Sequence, residues 1–259
     1  MAEERHVSVT FEIAYEGRRD AHAMDVQLLA PAMLALGELV KEANAALNGG
    51  RSTVQLSVQA DFQHKCFLIN FELLQTIYEQ VKGLLSDDGV RSAKELLEWL
   101  DLFKMAAGGG GGIGLFAFQK WLRGRKITGV TKLGTKDDRG RVEITVGTGA
   151  SIEKIEIHQN VYTLAENPRV RRAVPQVLAP LDTDEYDRLE VRAGGATVKV
   201  IDEKDADDIK KAAFRKMVRT SRFLTRNLSP RICKFSALST IRRPRTGASV
   251  TMGMPYLSI

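Results

Sequence analysis

"GGGGGIGLFAFQKWLRGRK", residues 108–126, places five glycines ahead of an apolar aromatic patch and four cationic side chains. Three readings compete for it: a phosphate loop, a membrane contact and a hinge. A phosphate loop needs G-x-x-x-x-G-K-[ST], because the lysine meets the phosphates and the hydroxyl meets magnesium. Gly109 and Gly114 have the required separation, but Leu115 and Phe116 follow them. No cofactor is expected here.

The membrane reading starts from Met105–Gln119, fifteen uncharged residues that would make a helix about 22 Å long. A hydrocarbon core is roughly 30 Å thick, so the stretch is too short to span it. Gly108 and Gly112, like Gly110 and Gly114, repeat at the spacing that lets helices approach closely. Ile113, Leu115, Phe116, Phe118 and Trp121 would supply an interfacial surface, and Lys120, Arg123, Arg125 and Lys126 would meet anionic headgroups. Against this, each glycine costs a helix about 1 kcal/mol relative to alanine. The leading expectation is a glycine hinge with a short amphipathic helix folded onto the core behind it. Membrane contact or self-association through the same residues is the alternative.

Working outward, "HVSVTFEIAYEG" alternates Val7, Val9, Phe11, Ile13 and Tyr15 with polar residues, as a half-buried strand does. The next stretch is helical, with Pro31 in its first turn and Asn48-Gly49-Gly50 as its stop. Ala32, Leu36, Leu39, Val40, Ala43 and Leu47 share one face of it. "STVQLSVQADF" and "HKCFLINFEL" read as paired strands, and a long helical stretch is expected from about Leu74 to Phe103, broken near residues 86–89. This makes a β-α-β-β-α-α unit with helices on one sheet face. Beyond the glycines, "RVEITVG" with "SIEKIEIH" and "DRLEVRAGGATVKVID" read as two hairpins, the second turning at Gly194-Gly195. A basic helical stretch lies between them, and a polar helix, "EKDADDIKKAAFRKMV", follows. The fold class is therefore α+β. Domains are expected at 1–104, a hinge and short helix at 105–126, a smaller β-rich unit at 127–218 and a basic tail at 219–259.

"FEIAYEG", "LLAPAMLALGELVKEANAALNG" and "FLINFEL" resemble segments of an uncharacterised family of bacterial conserved hypothetical proteins, over roughly residues 6–213. The resemblance implies a bacterial cytoplasmic setting and carries no catalytic residue. Two cysteines, Cys66 and Cys233, allow no disulfide framework or metal spacing. The acidic N-terminal stretch has no apolar core of the kind a secretory signal needs, which supports the same setting.

The charge is divided unevenly. Residues 214–259 hold ten Lys and Arg and no Asp or Glu, whereas residues 1–213 hold 28 basic and 32 acidic groups. A basic arm would attract nucleic acid or an anionic membrane. Alternatively, a reading-frame shift near residue 220 would make the arm accidental, since codon degeneracy lets residues 240–254 encode a strand entering a turn.

Other candidates are weaker. His64 and Cys66 share a strand face, as a catalytic pair or a packed cysteine beside a turn histidine. His158 ends a strand. Asp202, Glu203, Asp205, Asp207 and Asp208 suggest a cation, but lack the order of a calcium loop and suit a helix start. The leading functional expectation is a non-enzymatic cytoplasmic binding or assembly protein, peripheral to a membrane through residues 113–126. A nucleic-acid-binding accessory protein using the tail and an enzyme with an unrecognised site are the alternatives.

Overall fold

Alternation along β1 (Glu4–Gly17) puts Phe11, Ile13 and Tyr15 on one face, and all three are buried. In the computed structural model, which describes residues 4–17, 24–59, 67–78, 90–103, 112–133, 140–147 and 151–214, β1 is the middle strand of a five-stranded antiparallel sheet. Its order is β2-β3-β1-β7-β8, with β2 at Ser52–Gln59, β3 at Phe67–Tyr78, β7 at Tyr186–Ala193 and β8 at Ala196–Asp202. A second antiparallel sheet, β4-β5-β6, is built from Ile127–Lys132, Arg141–Val146 and Glu153–His158. Six α-helices occur among the described residues: α1 (Val26–Asn48), α2 (Ala93–Trp99), α3 (Leu115–Leu122), α4 (Gln159–Glu166), α5 (Pro168–Val177) and α6 (Glu203–Ala213). The fold is α+β.

The expected boundary between units 1–104 and 127–218 is corrected. β7 pairs with β1, Ile13 standing opposite Val191, so strands from both stretches complete one sheet. One core follows: Phe11, Leu36, Leu97, Phe116, Ile144, Val170 and Ile209 belong to the same buried cluster. The expected basic tail lies outside the described residues.

The long helix expected from Leu74 is also corrected. Leu74 to Tyr78 continue β3, with Leu74 opposite both Ser8 and Gln55. Residues 73, 75 and 77 share the other face, so the apolar run fits a strand as well as a helix. The helix that does form begins at Ala93, where Ser92 and Glu95 make a capping box. Helix α1 begins five residues before Pro31, because the Asp25 carboxylate accepts the Gln27 amide at 2.8 Å. Its stop is as expected: Gly49 takes φ 59° and returns its amide to the Ala45 carbonyl. Gly194 and Gly195, at φ 58° and 78°, make the two-residue turn between β7 and β8.

A buried amide network fixes where β2 begins. Asn44 donates to the Ser52 carbonyl at 2.9 Å, and the Ser52 hydroxyl donates back to Asn44 Oδ1 at 2.8 Å. Asn48 donates to the Arg91 carbonyl at 2.9 Å and accepts the Arg91 amide at 2.7 Å, while Gln75 Nε2 donates to the same carbonyl at 2.8 Å. Such groups are costly to bury unpaired, so the network ties the end of α1, both strands and the approach to α2 into one register.

Candidate functional site

The described part of the segment, from residue 112 on, finds its partners inside the protein. Leu115, Phe116 and Phe118 are fully buried, Ile113 and Trp121 are half-buried, and all five belong to or pack against the core. The packing agrees with the leading expectation of a short helix folded onto the core; the alternative, a lipid-facing surface, would need these buried side chains exposed. The helix has one strongly apolar side, and the core already occupies it. Gly108 lies outside the described residues; Gly112 is half-buried and Gly114 is buried.

Gly114 is required for contact rather than for freedom. A Cβ there would lie 2.5 Å from Asp101 Cβ and 2.8 Å from Asp101 Cα. That approach lets Asp101 Oδ2 accept the Ala117 amide at 2.9 Å, so a side chain from outside the helix caps α3. Lys199 of β8 donates to the same oxygen at 2.6 Å. Burial raises the Asp101 carboxyl above the usual carboxylate range, and Lys199 and the Ala117 amide offset part of that.

Three of the four cations behind the segment are paired as well. Lys120 meets Asp205 at 2.5 Å, Arg123 meets Asp208 at 3.1 Å and Arg125 meets Glu153 at 2.8 Å. Arg125 also donates to the Trp121 carbonyl at 2.6 Å and lies 5.0 Å from the centre of the Trp121 ring. Lys126 is exposed. The basic cluster and the acidic cluster, far apart in sequence, thus meet where α3 packs on α6. Asp202 caps α6 by accepting the Asp205 amide at 2.7 Å. Half-exposed pairs of this kind contribute about 0–1 kcal/mol each. They set the fit of two helices, and leave little net charge here for an anionic surface. Among the described residues no three His, Cys, Asp or Glu side chains come together as a metal site requires.

His64 and Cys66 lie outside the described residues. His158 Nδ1 accepts the Asn160 amide at 3.1 Å, capping α4, so the neutral ring carries its proton on Nε2. The Trp99 ring lies against it, tilted by 30° with ring centres 4.1 Å apart, and a Cβ at Gly140 would come within 2.9 Å of Nε2. Burial, followed by the charges of Arg91 and Arg141, holds the imidazole below its usual pKa. The folded state therefore binds this proton less readily than the unfolded chain, and stability falls as pH drops from about 6.5 through the lower folded value. His158→Asn keeps a capping side chain and removes the titration. In urea titrations between pH 7 and pH 5, the His158→Asn variant should lose less stability than the parent; equal losses would contradict this account.

The open edges of the sheets remain. An edge strand exposes unpaired amides and carbonyls, and proteins blunt it with charges, bulges or proline. β6 carries Glu153, Lys154 and Glu156. β4 has a register shift between Ile127 and Gly129 and ends on Lys132. β8 faces a register shift in β7 and points Lys199 inward to Asp101. β2, "STVQLSVQ", has no charge, no proline and no shift across eight consecutive pairs, from Ser52 opposite Ile77 to Gln59 opposite Asn70. Among the described residues no strand pairs with its outer side. Val58 is 46% exposed, and Thr53, Gln55 and Gln59 are exposed too. The signal was present in the sequence as an eight-residue strand without a charged residue. Edge position was the missing fact.

Comparison of the chain with protein families, with curated proteins and with solved structures finds no match.

Proposed function

We propose that this is a non-enzymatic binding or assembly protein that works by accepting an extended strand along the outer edge of β2. The observation that carries the reading is the contrast between that edge and the other three, each of which has charge or irregularity. Strand addition draws affinity from main-chain hydrogen bonds and specificity from alternate side chains. Val54 and Leu56 pack against the core on the inner face, and Val58 continues their row into solvent. An incoming strand would extend that row.

The test uses a fluorescent peptide carrying residues 52–59, flanked by lysines for solubility. It should bind the intact chain, and Val58→Lys should weaken binding at least tenfold, because it places a charge in the apolar row of an edge. Absence of binding to the parent in its monomeric form would contradict the reading. No helix among the described residues is long and apolar enough to cross a membrane. We place the protein in a reducing compartment, on the support of its cysteine usage.

The basic tail supports a second reading, nucleic-acid binding, since ten cations without an acid occupy residues 214–259. Phosphate contacts would make affinity fall steeply with salt, and truncation after Val218 should remove most of it. Equal binding by the truncated chain would dismiss the tail.

A further inference from the structure

We infer that the strand accepted by β2 is β2 of a second copy of this chain, paired antiparallel about a two-fold axis through Leu56; this rests on the strand-addition reading above. An antiparallel partner that continues a sheet must set inner-face residues opposite inner-face residues. For a strand paired with itself, that requires the axis to pass through a residue rather than between two. β2 suits one choice of residue. With Leu56 at the centre, Val54 faces Val58 of the second copy and Leu56 faces Leu56, giving an unbroken apolar row on the inner face. On the outer face Gln55 meets Ser57, and Thr53 meets Gln59. Every pair matches in polarity, and no charge meets another.

Shifting the axis loses this match. Centred on Gln55, the strand sets Val54 against Leu56 but leaves Val58 facing Ser52. Centred on Ser57, it leaves Val54 beyond the partner's strand. The Leu56 register also covers Val58, the most exposed apolar residue of the strand. A two-fold axis perpendicular to the sheet brings both helical layers to the same side of a joined ten-stranded sheet, five strands from each copy. Helix α1 packs on β2, so the two α1 helices belong to that shared layer. The interface is isologous, so it closes at two copies and does not propagate.

Sedimentation equilibrium of the full chain should give twice the 28.7 kDa monomer mass, and Val58→Lys should weaken self-association at least tenfold while leaving the circular dichroism spectrum unchanged. Directly opposite residues have Cβ atoms about 4.5–5.5 Å apart, close enough for a cross-strand disulfide after small adjustment. In a Cys66→Ser, Cys233→Ser background, Leu56→Cys should therefore form a disulfide-linked dimer under mild oxidation, and Gln55→Cys should not. A monomer at every concentration that still binds the 52–59 peptide would overturn the second copy and leave strand addition standing. A monomer that binds no peptide would overturn both. A dimer indifferent to Val58→Lys, or linked through position 55 in preference to 56, would overturn this pairing.

Discussion

Phe116→Ala is expected to destabilise the protein by about 3–5 kcal/mol, the cost of removing a fully enclosed aromatic ring and leaving a cavity. Phe116 is fully buried between Leu115 and Phe118, which are also fully buried, in the core shared by both sheets. For a chain of this size the fall in Tm should be roughly 10 °C or more. Trp121→Ala should cost less, because Trp121 is only half-buried. The two roles considered for this segment give opposite results. A lipid-inserting residue would lower liposome binding on truncation and leave thermal stability unchanged, whereas a core residue does the reverse. Stability held within about 0.5 kcal/mol, the usual range for surface changes, would refute the packing described here.

Gly114→Ala should have a comparable effect from a single methyl group. The new Cβ would meet the main chain of Asp101 at 2.8 Å, and neither segment can give way without loss elsewhere. Asp101 itself holds φ 67°, uncommon for a residue with a side chain, and its carboxylate is fixed by the Ala117 amide and Lys199. Moving it breaks the cap of α3 and leaves the Lys199 charge partly buried without its partner. A cost of about 3 kcal/mol is expected, at the upper end of overpacking effects. Gly112→Ala is the comparison, with a loss near the roughly 1 kcal/mol usual for single substitutions. Equal, small losses at both positions would mean that Gly114 acts only as a flexible link.

Much of the fold was legible because it depends on local pattern. β1, the β5–β6 hairpin, the β7–β8 turn at two glycines and the stop of α1 all follow from side-chain period or from backbone demands on particular residues. β4 was missed, since Gly129 interrupts its alternation and coincides with a register shift. The extra first turn of α1 was missed because Pro31 suggested a start, while the Asp25 cap lies well ahead of that proline. Alternation shows that β1 and β7 each have a buried face, but not that they are neighbours. The pairing of Ile13 with Val191 is a long-range fact, and it was the one needed to see a single core.

The site was less legible, for a related reason. The cations at the end of α3 and just after it, and the acids of α6, each look like a binding cluster when read alone. Lys120 with Asp205, and Arg123 with Asp208, become each other's partners only when the helices meet. The plain strand "STVQLSVQ" attracts no notice in sequence, because lack of charge is ordinary in a central strand and informative only at an edge.

Amide hydrogen exchange across residues 53–59 tests the central claim most directly. In a free edge strand, only the amides donating to β3 are protected, and the alternate ones exchange as solvent-exposed groups do. If β2 pairs with a second strand, those alternate amides should become protected as protein concentration rises, with the same midpoint as the change in mass. Val58→Lys should abolish that gain while leaving protection of β3 intact. Outward amides that exchange rapidly at every concentration, in a protein shown to be dimeric, would contradict the account.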